Sequence, residues 1–158
     1  VFCDGYGMIN NPFFKYLPSQ ESKGELLTIY APQLKIDFLL KGPVFVMPVG
    51  NHYYKVGATF NWKDKTNKPT NEAKNELIEK LESFLQTNYK VIAQHAGVRP
   101  TTKDRRPLLG KHTKHKNLVI FNGLGTRGVM IAPYAANLLF EHLENSKDLP
   151  NDLSIYRF

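Results

Sequence analysis

A chain of 158 residues with a formal charge of +7 and 42% hydrophobic residues has the length and composition of one ordinary globular domain, which excludes disorder as the default. Its single cysteine, Cys3, excludes an intramolecular disulfide framework and offers no paired thiols for zinc, favouring a reducing compartment. The apolar runs are too short to span a bilayer and the N-terminus lacks a charged-then-apolar leader pattern, so the expected location is cytoplasmic, with no membrane partner.

The opening VFCDGYG reads as a strand end followed by a turn, which suggests a cut within a longer chain. After a polar stretch from Pro18 to Lys23 come four runs of strand character: GELLTIYA, KIDFLL, PVFVMPV and HYYKVGATF. The turn signals between them, Lys41-Gly42-Pro43 and Gly50-Asn51-His52, suggest a meandering antiparallel sheet. Thr70 is placed to cap a helix over residues 70–87, in which Leu77, Ile78, Leu81, Phe84 and Leu85 share one face. YKVIAQHAGVRP then reads as a strand ending at Arg99, because the residue before Pro100 is pushed out of the helical region. LVIFNG reads as another strand, followed by a glycine-rich loop and a closing helix over 129–143. That helix is expected to bury Ala132, Ala136, Leu139 and Leu143, with Pro133 in its first turn.

A strand, a glycine turn and a helix start together make an electropositive pocket from backbone alone, since unpaired N–H groups and the helix dipole point the same way. Gly123, Gly125 and Gly128 would let a flat or anionic ligand approach that backbone. By itself Gly-x-Gly-x-x-Gly serves a tight structural turn as readily as a ligand loop; a dinucleotide fingerprint needs an acid at the end of a second strand, whereas Glu141 and Glu144 lie within the helix. The basic run Lys103, Arg105, Arg106, Lys111, Lys114 and Lys116 reads as a solvated loop in preference to a nucleic-acid patch, having no interleaved aromatics. His52, His95, His112 and His115 form no pattern that marks a general base, and no residue stands out as a metal ligand.

The block GVRPTTKDRRPLLG at residues 97–110, with the later glycine loop and Gly128-Val129-Met130-Ile131-Ala132-Pro133, resembles the C-terminal part of the FAD-dependent oxidoreductases of the D-amino-acid oxidase and glycine oxidase type. PVFVMPVGNHYYKVGATF, KGELL and VFCDGYG are similar to earlier segments of that family, so the resemblance covers nearly the whole chain. It implies an α+β fold, a mainly antiparallel substrate-domain sheet with packed helices, lacking the N-terminal FAD-binding Rossmann unit. Residues 1–20 would close the dinucleotide-binding domain, 21–100 would form the substrate sheet, and 101–158 would return to the FAD domain.

The same resemblance implies roles. Arg99 matches an arginine that pairs with a substrate carboxylate, the alternative being a structural ion pair with Asp104. Phe45 stands where some members have a substrate-binding tyrosine, and lacks its hydroxyl. Gly123, Gly125, Thr126, Gly128, Val129 and Met130 would face the flavin, with Arg127 toward the substrate. The implied activity is oxidation of an amine or amino-acid C–N bond to an imine, with orientation and electrostatics in place of a catalytic acid or base. Its partners would be the small-molecule substrate, an N-terminal FAD-binding half and, through exposed apolar surface, further copies of the chain; FAD would not stay on this segment alone. Gly125-Thr126-Arg127-Gly128 also resembles the tRNA wobble-uridine-modifying branch, which would make tRNA a partner. A non-catalytic binding module is the third reading.

Overall fold

The computed structural model describes residues 1–158 and divides into two compact units, residues 22–98 and a second formed by 1–21 with 99–158. No helix is long and apolar enough to cross a membrane.

The 22–98 unit is a five-stranded sheet with one helix on it. The strands are β1 (Ser22–Tyr30), β2 (Leu40–Lys41), β3 (Phe45–Gly50), β4 (Tyr53–Gly57) and β5 (Lys90–Arg99), in the order β2-β3-β4-β1-β5. Only β2 to β4 form a meander; β1 pairs antiparallel with β4, matching Leu26 to Gly57 and Thr28 to Lys55. Strand alternation sends Leu27, Ile29, Val46, Tyr54 and Val56 to one face, where they meet Leu77 and Leu81 of helix α1 (Asn71–Glu82). The Tyr54 hydroxyl is kept in that core by donating to the Leu34 carbonyl.

A buried charge network fixes where α1 begins. Thr70 caps the helix by accepting from the Ala73 N–H, and Glu25 of β1 in turn accepts from the Thr70 N–H at 2.9 Å and its hydroxyl at 3.0 Å. Gln94 of β5 donates to Glu25 and to the Thr70 carbonyl, both at 2.7 Å. The Lys23 ammonium, with a side chain only 1% exposed, lies 3.2 Å from Glu25 and 2.6 Å from Asp64. Burial alone would raise the Glu25 carboxyl, but hydrogen bonds from Thr70, Gln94 and Lys23 outweigh it and hold the group below its ordinary value.

The other unit is built on a hairpin of β6 (Leu108–Lys111) and β7 (Val119–Asn122), antiparallel with Leu108 opposite Asn122. Phe2 extends the hairpin edge: its N–H donates to the Val119 carbonyl and its carbonyl accepts from the Phe121 N–H. One side of the hairpin buries Leu108 and Ile120 with Met8, Phe14 and Ile155; the other buries Leu109 and Val119 against Ala135 and Leu139 of helix α2 (Gly128–Glu144).

The architecture is therefore α+β with antiparallel sheets, and four local expectations need correction. Residues 35–39 are not strand, and Phe38 and Leu39 are exposed, so that run pairs only at Leu40–Lys41. Helix α1 stops at Glu82, short of Thr87; Ser83 turns its hydroxyl onto the Lys80 carbonyl and Thr87, Asn88 and Tyr89 are poor helix formers. In α2 the buried position is Ala135, while Ala136 is exposed. Because α2 begins at Gly128, Pro133 lies past the first turn, and its missing N–H leaves the Val129 carbonyl without an i to i−4 donor.

Replacing Glu25 by Ala leaves Thr70 and Gln94 without their acceptor and Lys23 without a partner it needs; the expected loss in urea denaturation is about 3–5 kcal/mol. The Glu25 carboxyl is held below its ordinary 4.5, so its contribution is complete above that value and drains as pH falls through the folded value. Asp64, which the Lys23 hydrogen bond holds at about 2, is protonated last. Wild type should therefore lose stability from about pH 4.5 downward, and Glu25→Ala should lose less over that interval. Identical pH profiles for the two proteins would show that the network does not set acid sensitivity.

Candidate functional site

The glycine loop follows from the end of β7. Asn122 anchors the strand end: its amide donates to the Gly5 carbonyl and its Oδ1 accepts from the Gly123 N–H at 2.8 Å. Gly123 then takes a left-handed φ of 71°, and a Cβ there would fall 2.9 Å from the Thr102 methyl and 3.3 Å from the Leu108 backbone nitrogen. Its glycine is thus required by packing within the protein, not by a ligand. Gly125, with φ 58°, opens a short turn through Arg127 and donates its N–H to the Pro100 carbonyl at 3.0 Å. Gly128 has a helical φ of −51°, so its backbone does not need the freedom of glycine.

The start of α2 is open. No side chain caps it and no acid lies in its first turn. Thr126 and Arg127 are exposed, as are Val129 at 95% and Met130 at 79%. A 17-residue helix in this state presents partial positive charge and backbone donors to whatever approaches. Beside it, the Thr101 hydroxyl oxygen is buried with no hydrogen-bond partner, 3.5 Å from where a Cβ on Gly125 would stand. An orphaned polar atom next to an uncapped helix start fits a polar, electron-rich ligand edge. The outward face of α2 carries Met130, Tyr134 and Phe140, all exposed.

Arg99 ends β5 immediately before the Pro100–Thr102 segment that flanks this loop. Burial pushes its guanidinium pKa down, but from a value so high that the group stays cationic near neutrality. The alternative partner considered for it, Asp104, is taken by Arg157 at 2.7 Å and by the Arg106 N–H at 3.0 Å. Phe45 belongs to the 22–98 unit, where its ring lies against Gly57: a Cβ on that glycine would be 3.0 Å from Cζ. The 1–21 and 99–158 unit therefore gathers Arg99, Gly123, Gly125, Thr126, Arg127, Gly128, Val129 and Met130, and Phe45 stands apart from that set. Sequence reasoning missed Thr101, although it lies in the block that carried the resemblance.

His112 has a structural task. Its Nδ1 accepts from the Lys114 and His115 N–H groups at 3.0 and 3.1 Å, which leaves Nε2 to donate to the Phe13 carbonyl at 3.1 Å. It ties two loops together as a neutral ring. Phe13 and Tyr16 come within 6.3 and 5.9 Å of that ring, so the fold brings to the basic loop aromatics that its own sequence lacks.

Comparison with known proteins agrees with this arrangement. The family model described as FAD dependent oxidoreductase matches residues 1–142. Glycine oxidase of Bacillus subtilis (strain 168) is 26% identical over 148 residues, covering 89% of this chain and 40% of that protein. The tRNA 5-methylaminomethyl-2-thiouridine biosynthesis bifunctional protein MnmC of Idiomarina loihiensis is 26% identical over 155 residues, covering 90% of this chain and 25% of that protein. Among solved structures, L-proline dehydrogenase from P. horikoshii superposes with a TM-score of 0.75 at 18% identity, over 90% of this chain and 41% of that one. Glycine oxidase from Bacillus cereus ATCC 14579 gives 0.71 at 17%, over 86% and 38%. The chain thus spans between a quarter and two fifths of the length of these curated relatives.

The two ends of the loop should respond differently to a single methyl. Gly123→Ala combines a left-handed φ with contacts under 3.0 Å and should destabilise by about 2–3 kcal/mol. Gly128→Ala meets only Leu124 at 3.4 Å in a helical conformation and should stay within about 0.5 kcal/mol of wild type. Urea denaturation of both variants checks this, and equal effects would mean the loop is not held as described.

Proposed function

This chain belongs to the FAD dependent oxidoreductase family, and from that premise we propose that it forms the substrate-side part of an enzyme oxidising the C–N bond of an amine or amino acid to an imine. The observation that carries the proposal is the uncapped, exposed start of α2 beside the orphaned Thr101 hydroxyl. The similar proteins named glycine oxidase and L-proline dehydrogenase support an amino-acid substrate. On this reading residues 1–20 and 101–158 serve the cofactor side and 21–100 the substrate side, and an N-terminal dinucleotide-binding half completes the enzyme.

When bound, FAD supplies the acceptor for the hydride leaving the carbon next to nitrogen, while the nitrogen gives up a proton as the C=N bond forms. The backbone N–H groups of Gly128, Val129 and Met130 would hold the pyrimidine edge of the ring, where the helix start favours negative charge without help from a side chain. Gly125 and Thr126 would form the near wall of that site. Arg99 would take a substrate carboxylate through two parallel hydrogen bonds and so orient the reacting carbon, with Arg127 beside it on the substrate side. Phe45 would offer an apolar surface to the rest of the substrate.

A second reading, action on a tRNA wobble uridine, draws on Gly125-Thr126-Arg127-Gly128 and on the Idiomarina relative. The two readings separate on adding tRNA in a salt series, since phosphate contacts give a steep salt dependence.

In the complete enzyme, Arg99→Lys keeps the charge and loses the two-pronged geometry. The expected result is a rise of about tenfold or more in KM for carboxylate-bearing amines with FAD content near wild type. Equal loss of FAD and substrate affinity would show that Arg99 supports the fold instead.

A further inference from the structure

Helix α1 covers one face of the 22–98 sheet, and the opposite face is built from a restricted set of side chains. Register places Lys41, Phe45, Gly57 and Leu26 side by side across β2, β3, β4 and β1. One step along the strands come Met47, Lys55 and Thr28, and beyond them Tyr53 and Tyr30, whose ring centroids are 5.2 Å apart. Alternation sends Glu25, the one acid within β1 to β4, to the other face, where Lys23 and Thr70 hold it. The charged groups that these four strands give to the open face are therefore Lys41, at the exposed sheet edge, and Lys55, at its middle.

Lys55 is half-buried, and its ammonium donates to the Thr28 hydroxyl at 2.7 Å. A hydroxyl satisfies one of three N–H donors and none of the charge. The stem lies along the strand surface between Met47 and Thr28, so the head is held in place next to the apolar patch of Phe45 and Leu26. A cation fixed beside an apolar patch, with no acid on the strands around it, is complementary to a ligand with an apolar segment ending in an anion.

We propose that Lys55 is a specificity-determining residue that selects amine substrates carrying an additional anionic group at the end of an aliphatic tail, such as acidic amino acids. The proposal rests on the reading that the open sheet face bearing Phe45 is the substrate side. Thr28 is its positioning residue: by accepting from Lys55 it keeps the ammonium on the face instead of in solvent.

The test uses the complete FAD-loaded enzyme and measures the rate of flavin reduction by glutamate and by glutamine, each as both enantiomers. These two differ by one charge at nearly constant shape. Wild type should favour glutamate by about tenfold or more, as expected for a hydrogen bond to a charged group. Lys55→Met, which keeps the apolar stem, should bring that ratio near one, and Lys55→Arg should restore it. Lys55→Glu should turn preference toward ornithine. A ratio unchanged in Lys55→Met overturns the proposal even if the enzyme oxidises amino acids well. Where neither amino acid reduces the flavin, the functional reading falls and calorimetric titration with glutarate and its monoamide decides the inference: preference for glutarate that disappears in Lys55→Met upholds it, and equal binding overturns it.

Discussion

The fold of the 22–98 unit depends on one buried carboxylate. Glu25 sits mid-strand in β1, is 2% exposed, and accepts from the helix cap Thr70, from Gln94 on β5 and from Lys23. A bare carboxylate in such surroundings would be strongly disfavoured; three sets of donors make it the joint where a strand, a neighbouring strand and a helix start are locked together. The direction of its pKa shift shows which effect wins, since hydrogen bonding more than offsets burial. Such a group contributes position more than net stability, because burying charge takes back much of what pairing returns.

Position is what the function needs. By holding α1 against Leu27, Ile29 and Val56, the network commits one face of the sheet to the core and leaves the alternate residues of the same strands for another task. A slip of one residue in β1 would carry Glu25 and Lys23 onto the open face and Leu26 and Thr28 into the core, so register and chemistry are fixed together. In the other unit Asn122 plays a comparable part on a smaller scale. Its amide bonds both the Gly5 carbonyl and the Gly123 N–H, so the end of β7 and the N-terminal turn are set by the same side chain, and the glycine loop departs from a fixed point.

Strands with clean alternation were legible in the sequence, as were the Thr70 cap and the Leu77 and Leu81 face of α1. The failures share a cause: they depend on what lies across from a residue, which a linear pattern does not contain. KIDFLL has the composition of a strand but pairs at only its last position. The α2 stripe was misassigned by one residue because small residues flank Ala135 on both sides and apolar side chains occur on both faces. Asp104 stood close to Arg99 in sequence, yet Arg157 reaches it from the C-terminus. Gly123 was legible as a glycine that matters, but its reason, the approach of Thr102 and Leu108, is tertiary. Lys55 drew no notice because a lysine in a strand reads as a solvent-facing residue until its Thr28 partner is seen.

Pro133 links these strands of argument. At the sixth residue of α2 it withholds a donor from the Val129 carbonyl, so the first turns of the helix have less internal hydrogen bonding than the sequence length suggests. The same turns lack a capping side chain and present Val129, Met130 and Tyr134 outward. A helix start that served only to close a fold would be selected for a cap and a polar outer surface, each of which stabilises at little cost. This one has neither, and its neighbour Thr101 keeps a buried oxygen unsatisfied. Local stability has been given up at one spot while the rest of the unit is well packed around Leu108, Leu109 and Ile120. That contrast is the physical basis for assigning the α2 start to a ligand and not to the architecture.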